Sequence, residues 1–339
     1  MTGQTILISG ASGFVASHVV RAFLEKGYNV KGTVRSESTA QEVRKSHPSY
    51  ESQLSFAIVE DIARPRAFDE AVKGVHGVIH TASPFTFDVQ DFEKDLLIPA
   101  VNGTNSILQA VEKYNPIVKR VVITSSFAAL INISKGAWPE HTYNEADWNP
   151  DTYETAKNGP GLLAYCTSKK LAEEAAFKFL REKNPAFSIA TVCPPLIYGP
   201  IIHHVSDISK LNSSSVDIYR FVNGSTKEVP STDFPAFVDV RDVAQAHIKA
   251  YEKPEAANQR YFTTGGNFTY QEVVDIIHEH FPELKEKTPV GEAGEKGPKV
   301  FKVDTSKAQK ELGIKFRGLE EVIVDTVRGL LKLEEETKK

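Results

Sequence analysis

Cysteine is scarce in this sequence, since the 339 residues include only Cys166 and Cys193. Two thiols cannot build the dense disulfide framework of small secreted proteins, and such low usage is typical of proteins from a reducing compartment. Without histidine or carboxylate partners at metal-ligand spacing, the same two cysteines predict no metal site. We therefore expect a cytoplasmic protein that has neither structural disulfides nor a bound metal ion.

Long apolar runs and an excess of positive charge are also missing. No stretch of about 18 apolar residues is present to cross a bilayer. An apolar run begins at residue 5, which leaves no room for the charged segment and cleavage site of a signal peptide. The formal net charge is −4, so no basic surface is offered to nucleic acid or anionic lipid. The sequence predicts neither a membrane nor a nucleic-acid partner.

What the sequence does contain is an alternation of short apolar runs and longer amphipathic segments. Runs rich in Val and Ile predict strands at 5–9, 29–34, 54–59, 77–80, 120–125 and 187–193. Helix-length segments between them include 14–26, 91–113 and 161–183. This alternation predicts the α/β class with a doubly wound parallel sheet, the Rossmann fold.

The pattern loosens after residue 195. We predict a Rossmann domain for nucleotide binding over 1–194, with 237–264 packing back on it, and a smaller substrate-binding lobe formed mainly by 195–339. In this second part, polar segments predict loops, and amphipathic segments predict further helices. The loops are 200–236 and 285–299, and the helices cover 269–280, 319–334 and most of 237–253.

The segment GASGFVA, residues 10–16, follows the first strand and opens a helix. Gly10 and Gly13 let the backbone approach a pyrophosphate, which would then lie at the positive end of the helix. Ala16 takes the place of the third small residue in the dinucleotide fingerprint. The position between a strand and a helix favours a dinucleotide site over a plain tight turn.

The end of the second strand carries Arg35 where an enzyme that prefers NAD has an acid to bind the ribose 2′-hydroxyl. An acid would repel a 2′-phosphate, whereas a guanidinium can bind one with two hydrogen bonds. The residue therefore points to NADPH, and the alternative is an ordinary surface arginine.

Four further strand ends face the same expected crevice. Asp61 follows the third strand, where its carboxylate could accept from an adenine amino group or cap a turn. Thr81 and Ala82 follow the fourth strand, where small side chains let a cofactor lie against the backbone. Pro194 follows the sixth strand, in a loop that we expect beside the nicotinamide. Ser126 follows the fifth, and a serine at this edge of a parallel sheet faces the ligand.

Two Tyr-x-x-x-Lys pairs compete for a catalytic role. Tyr153 and Lys157 run into the helix-breaking text NGPG. Tyr165 and Lys169 lie in the first half of a long predicted helix, where a spacing of four stacks them on one face. An ammonium beside a phenol should lower the pKa of the phenol and suit it to proton donation. We therefore predict that Tyr165 and Lys169 form the catalytic pair.

At this point the motifs resemble a known family across nearly the whole chain. GASGFVA, HTASP, DLLIPAVNGT, VVITSS, AYCTSKK, IYGP and FVDVRDVA resemble the extended short-chain dehydrogenases/reductases. The combination of HTASPFTFD with DLLIPAVNGT is most similar to the fungal NADPH-dependent methylglyoxal and 3-methylbutanal reductases, and plant dihydroflavonol reductases are more distant. Two positions depart from that pattern: Thr39 stands in place of a lysine, and Cys193-Pro194 in place of Asn-Pro.

The resemblance implies a Ser-Tyr-Lys triad, which falls on Ser126, Tyr165 and Lys169. It implies NADPH contacts from Tyr165, Lys169 and a set of positions before and after them. These positions are Gly10, Ala11, Ser12, Gly13, Phe14, Val15, Arg35, Asp61, Ile62, Ile197 and Ser214.

We expect an NADPH-dependent reductase of aldehydes, 2-oxoaldehydes and ketones, acting as a monomer or homodimer on a small carbonyl substrate. Pro84, Phe85, Leu130 and Tyr198 are the expected apolar walls of its pocket. Two alternatives remain: an NAD-dependent nucleotide-sugar epimerase or dehydratase, and a non-catalytic protein that senses a dinucleotide. The first would need a ribose-binding acid near position 35, and the second is disfavoured by the complete set of Ser, Tyr and Lys.

Overall fold

The computed structural model describes residues 3–83 and 89–337. Its strands, in chain order, are β1 Thr5–Ser9, β2 Asn29–Val34, β3 Leu54–Ile58, β4 Gly77–His80, β5 Arg120–Thr124, β6 Thr142–Tyr143, β7 Ser188–Cys193, β8 Leu196–Tyr198, β9 Phe237–Asp239, β10 Gln259–Phe262 and β11 Lys302–Val303. Its α-helices are α1 Phe14–Glu25, α2 Glu37–Ser46, α3 Ile98–Tyr114, α4 Tyr153–Lys157, α5 Gly161–Lys183, α6 Ser213–Val222, α7 Val240–Glu252, α8 Tyr270–His280 and α9 Leu319–Thr337.

The main sheet contains seven of the described strands, in the order β10-β7-β5-β4-β1-β2-β3. All neighbours in it pair in parallel. The predicted doubly wound α/β fold is therefore confirmed. The edge strand β10 was not predicted as a strand, because it is only four residues long and opens with Gln259 and Arg260. Two small parallel pairs, β8 with β9 and β6 with β11, lie outside this sheet.

The observed helices differ in three places from those predicted from the amphipathic segments of the sequence. The segment predicted as one helix over 91–113 begins with a π-helical turn, Glu93–Leu97, before α3. The prediction of a loop over all of 200–236 is wrong, because α6 forms within it and buries Ile218, Phe221 and Val222 on one face. The polar helix α2 was not predicted, since only two of its side chains are buried.

The side chains of β1 alternate between two apolar cores, as the period of a strand requires. Ile6 and Ile8 face a core that includes residues of α1 and α7, whereas Leu7 faces one that includes residues of α3 and α5. A third core is built from residues between 198 and 333. Because the strands of the main sheet are parallel, their carboxyl ends all lie along one edge of that sheet. The division of the chain at residue 194 stays a prediction.

None of the helices in the described parts of the chain is long and apolar enough to cross a membrane.

Candidate active site

The glycine turn between β1 and α1 is shaped for close approach of a ligand. Gly10 has a φ of +66°, and a Cβ added there would lie 3.1 Å from the Cβ of Ala82. Helix α1 begins behind Gly13 with neither a capping side chain nor an acidic residue in its first turn. Its positive end and backbone N–H groups are thus available to an anion. In this turn Ser12 is exposed and Ala11 is buried.

The neighbouring strands hold this turn in place. The backbone N–H of Gly10 donates to the hydroxyl of Thr33 over 3.0 Å, and that of Ala11 donates to the carbonyl of Thr33 over 2.9 Å. On the other side, the Ser9 hydroxyl accepts from the N–H of Ala82 over 3.0 Å. The turn is therefore fixed by β2 and by the end of β4 before any ligand binds.

A cleft of about 770 Å³ opens at the carboxyl edge of the sheet, in front of the glycine turn. It is lined by eight of the residues predicted to contact the cofactor: Gly10, Ser12, Gly13, Arg35, Asp61, Ile62, Thr81 and Ala82. Thr39 and Ser83 line the cleft as well. Phe14 and Val15 lie beside it in the first turn of α1, where Phe14 is buried.

The charges in the cleft favour a phosphate near β2. Arg35 is exposed, and its guanidinium forms no hydrogen bond or ion pair with any residue in the described ranges. Asp61 is also exposed, and its carboxylate accepts from the N–H of Ala63 over 2.9 Å, as a turn cap does. This contact leaves the second oxygen of Asp61 only a 3.6 Å ion pair with Arg64. An arginine that has no ion pair within the described ranges thus lines the cleft just after β2.

Tyr165 and Lys169 lie on one face of α5, as the spacing predicts. The Lys169 ammonium is 5.4 Å from the centre of the Tyr165 ring. It donates to the Ser83 hydroxyl over 2.6 Å, and Ser83 lines the cleft. The pair therefore adjoins the cleft through Ser83. Sequence reasoning missed Ser83 because its contact with Lys169 joins segments 86 residues apart.

The prediction of a lowered pKa for Tyr165 is wrong for this structure. Burial raises the pKa of the Tyr165 hydroxyl to about 12, with a further contribution from Cys166. Burial also lowers the pKa of Lys169 to about 8. Removing both groups from water thus outweighs the attraction between ammonium and phenolate. At neutral pH, Tyr165 carries its proton.

The competing pair, Tyr153 and Lys157, is bound to a single carboxylate. The Tyr153 hydroxyl donates to Glu93 over 2.7 Å, and the Lys157 ammonium lies 2.7 Å from the other Glu93 oxygen. The hydrogen bond to Glu93 raises the pKa of Tyr153 to about 12. Because both polar ends of this pair are bound to Glu93, it ties the short helix α4 to the start of the α3 segment.

Ser126 lies half-buried between two anchored neighbours. Its hydroxyl accepts from the N–H of Ala128 over 3.1 Å and caps a short 3₁₀ turn, Phe127–Ala129. Helix α5 packs against that turn. The carbonyl of the buried Pro194 accepts from the N–H of Phe127 over 2.8 Å. The ends of β5 and β7 are thus joined beside Ser126.

The remaining predicted contacts lie outside the cleft or in the protein interior. Ile197 is in β8, and the Ser214 hydroxyl, at the start of α6, accepts from the side chain of Asn212 over 2.9 Å. Leu130 is 1% exposed in an apolar cluster around Phe127. Tyr198 is also 1% exposed, and its hydroxyl donates to Asp217 over 2.7 Å. Neither of these two side chains presents a wall to solvent.

Pro84 and Phe85 lie outside the described residues, so the role of all four predicted walls stays a prediction. Within residues 3–83 and 89–337, no group of three or more His, Cys, Asp or Glu side chains is arranged to hold a metal ion.

Similarity to known proteins agrees with this geometry. The model of the NAD dependent epimerase/dehydratase family matches residues 6–265. The NADPH-dependent methylglyoxal reductase GRE2 of Saccharomyces cerevisiae is 39% identical over 341 residues, covering 98% of this chain and 99% of that protein. The ketoreductase azaE of Aspergillus niger is 36% identical, covering 97% of this chain and 98% of that protein.

A crystal structure of the yeast methylglyoxal/isovaleraldehyde reductase Gre2, complexed with NADPH, has the same fold. It superposes with a TM-score of 0.91 at 39% identity and covers 98% of this chain and 99% of that one. The resemblance to the fungal reductases of the extended short-chain group is therefore confirmed. The chain belongs to the NAD dependent epimerase/dehydratase family.

Proposed function

We propose that this protein reduces aldehydes, 2-oxoaldehydes such as methylglyoxal, and ketones to alcohols, with NADPH as the reductant. One observation carries the proposal: the Tyr165 and Lys169 pair of α5 adjoins, through Ser83, a cleft with a glycine turn and an unpaired arginine. The full-length relatives in yeast and in Aspergillus niger are named as reductases, which supports the same activity here.

The residues present fit NADPH. Gly10 leaves space that a side chain would fill, and the uncapped start of α1 suits a pyrophosphate. Arg35 would bind the 2′-phosphate, and Asp61 would face the adenine. NADPH supplies the hydride when bound, and the residues of this chain bind, orient and protonate. Thr39 offers no second cation beside Arg35, so Arg35 alone would hold the phosphate charge there.

Tyr165 is the proposed general acid. Its raised pKa keeps the proton on the phenol at neutral pH, and an alkoxide is basic enough to remove it. Ser126 would donate a hydrogen bond to the carbonyl oxygen and hold it near the Tyr165 hydroxyl. Lys169 would orient the nicotinamide ribose and, as an ammonium, stabilise the phenolate left after proton transfer.

The two alternatives are less well supported. An NAD-dependent epimerase would place an acid near position 35, where the cleft instead presents the unpaired Arg35. A non-catalytic sensor would not need Ser126, Tyr165 and Lys169 together. The site therefore favours the reductase, and turnover separates all three.

We further propose that the protein acts in the cytoplasm as a monomer or homodimer. Cys166 and Cys193 are both free and buried, which fits a reducing compartment.

The test is a steady-state comparison of methylglyoxal, 3-methylbutanal and an aryl ketone with NADPH, beside a UDP-sugar with NAD. We expect turnover of the three carbonyl compounds and none of the UDP-sugar. Breadth is expected because an apolar pocket discriminates by only about 1–3 kcal/mol per methylene. Turnover of the UDP-sugar alone would favour the epimerase. Binding of NADPH without any turnover would favour the sensor.

A further inference from the structure

A buried carboxylate lies one helical turn beyond Lys169. Glu173 is 1% exposed and follows Lys169 by four residues, so the two side chains share a face of α5. One of its oxygens accepts from the hydroxyl of Thr191 over 2.5 Å, and the other accepts from the hydroxyl of Ser125 over 2.7 Å. The guanidinium of Arg260 donates to both oxygens, over 2.8 and 3.1 Å. The thiol of Cys193 also donates to this carboxylate, over 3.6 Å, so four side chains hold it.

The cation that pairs with Glu173 is itself fixed. The Arg260 guanidinium donates to the carbonyls of Glu145 and Asp147, each over 2.7 Å, and lies 3.6 Å from the centre of the Trp148 ring. Such a paired and hydrogen-bonded charge can remain ionised in the interior. Glu173 therefore offers a rigid acceptor whose position is set by β10 and by the segment before α4.

The contact with Ser125 connects this acceptor to the catalytic serine. Ser125 directly precedes Ser126, and its backbone N–H donates to the carbonyl of Val192 over 2.8 Å. The backbone on both sides of Ser126 is thus bound to the end of β7. The hydrogen bond between Ser125 and Glu173 ties the same segment to α5, the helix that carries Tyr165.

We propose that Ser125 and Glu173 are positioning residues that keep the Ser126 hydroxyl in register with the Tyr165 hydroxyl. The inference rests on the proposed function, because it assigns a task to two residues that need not touch the substrate. A carbonyl oxygen can accept from Ser126 and from Tyr165 at once only if their separation is held within narrow limits. Glu173 binds the serine segment from the helix that carries the tyrosine, and so sets that separation.

Thr191 provides a matched control, because it donates to the same carboxylate from β7 and belongs to a different segment from Ser126. Ser125→Ala and Thr191→Val each remove one hydroxyl donor from Glu173 and leave Arg260 in place. Ser125→Thr keeps the donor. Each variant is compared with the wild type in kcat, carbonyl KM, NADPH Kd, Tm, and the primary deuterium isotope effect on kcat with NADPH labelled at the transferred hydride.

For Ser125→Ala we expect kcat to fall roughly tenfold, since small misplacements of reacting groups slow the chemical step. NADPH Kd should change by less than about twofold, and the isotope effect should be at least as large as in the wild type. Thr191→Val should keep kcat within about twofold of the wild type, although its Tm falls as much as that of Ser125→Ala. Ser125→Thr should restore most of kcat.

Equal losses of kcat in Ser125→Ala and Thr191→Val would show that the link from the serine segment to Glu173 has no effect of its own on kcat, and would overturn the inference. An unchanged kcat in Ser125→Ala would overturn it too. Both outcomes leave the proposed function intact, because the wild type is active in each. A wild type that binds NADPH but reduces no carbonyl compound would overturn the proposed function, and this inference with it.

Discussion

The hydroxyls of Tyr153 and Tyr165 have the same raised pKa for different reasons. At Tyr153 the cause is the hydrogen bond that its hydroxyl donates to the Glu93 carboxylate. At Tyr165 the cause is burial. A phenol whose proton is bound to a carboxylate cannot also donate that proton to a substrate, and Glu93 binds the proton of Tyr153 in this way. The surroundings of each hydroxyl, more than its pKa, thus separate the catalytic candidate from the structural one.

Replacing Tyr165 with Phe should therefore lower kcat by roughly 10²–10⁴, the usual contribution of a general acid. The matched variant, Tyr153→Phe, should keep kcat near the wild-type value and lose a small amount of stability, about 1 kcal/mol for one hydrogen bond. Steady-state assays with methylglyoxal and thermal unfolding would measure both effects. Similar losses of kcat in the two variants would contradict the choice of Tyr165.

The unpaired guanidinium of Arg35 should set the preference for NADPH. Arg35→Asp removes the cation and introduces repulsion of the 2′-phosphate, so KM for NADPH should rise and NADH should become the relatively better reductant. Each tenfold change in preference corresponds to about 1.4 kcal/mol. The ratio of kcat/KM for the two cofactors is the measurement.

The control for Arg35 is Arg328→Asp, which changes the net charge equally at an exposed position of α9. It should leave the ratio unchanged. A wild type that uses NADPH and NADH equally well would show that Arg35 is an ordinary surface residue.

At the scale of elements, strand β2 acts as the support of the glycine turn. A Cβ added at Gly32 would lie 2.8 Å from the Cβ of Ala11 and 3.1 Å from the ring of Phe56. Thr33 holds the same turn through two hydrogen bonds. The glycine in β2 thus matters as much to the shape of the turn as the glycines within it.

Replacing Gly32 with Ala should push Ala11 and the turn out of place. Overpacking of this kind typically costs about 1–3 kcal/mol of stability. We expect Tm to fall and the Kd of NADPH to rise by roughly tenfold, or about 1.4 kcal/mol. Gly318→Ala is the control, since no atom lies within 4 Å of a Cβ added there. An unchanged Kd in Gly32→Ala would show that the turn tolerates displacement.

Local patterns were sufficient for part of this architecture. The predicted bounds of α5 match the structure, because apolar side chains recur along it at helical spacing and Asn184 ends it in a left-handed conformation. The glycine turn was predictable for the same reason, as its chemistry is contained in seven consecutive residues. Six of the seven strands of the main sheet followed from runs of Val and Ile.

Elements that depend on distant partners could not be predicted. Strand β10 is stabilised by its pairing with β7. Its Arg260 can be buried because it pairs with Glu173, which lies 87 residues earlier in the chain. Ser83 became a site residue only when the fold brought it to Lys169. Burial, which reversed the expected pKa shift of Tyr165, is likewise a property of the assembled protein.

At the scale of the whole molecule, buried histidines should control stability in acid. Burial lowers to about 4 the pKa of five histidines: His18, His47, His80, His203 and His247. In the unfolded chain each would titrate near 6.5. Between pH 4 and 6.5 the unfolded state therefore binds more protons than the folded one, and stability rises with pH.

The free energy of unfolding should be nearly flat between pH 7 and 7.5 and fall steeply below 6.5, by up to about 1.4 kcal/mol per pH unit for each histidine. Three acids oppose this trend, because burial raises the pKa of Asp242 to about 6 and also raises the pKa of Glu145 and of Asp151, but the five histidines outnumber them. Urea unfolding between pH 7.5 and 4.5 would measure the slope. A flat profile across that range would contradict the prediction.

His47→Leu isolates one of these contributions. Both ring nitrogens of His47 are buried without a hydrogen-bond partner in the described structure, so a leucine loses no polar contact. Between pH 4 and 6.5, the variant should reduce the slope of the unfolding free energy against pH by the contribution of one histidine. At pH 7 its stability should stay close to that of the wild type.

The ion pair between Glu173 and Arg260 also has a consequence for the order in which the protein is made. The carboxylate emerges from the ribosome 87 residues before the guanidinium that neutralises it. Until β10 has been synthesised and has joined the sheet, α5 would have to bury Glu173 without a counter-ion, which is strongly unfavourable. We therefore expect that the strands and helices made before β10 do not reach their final packing around Glu173 while the chain is still incomplete. On this view, the site around Tyr165 would form only after β10, which lies in the last third of the chain, has been synthesised.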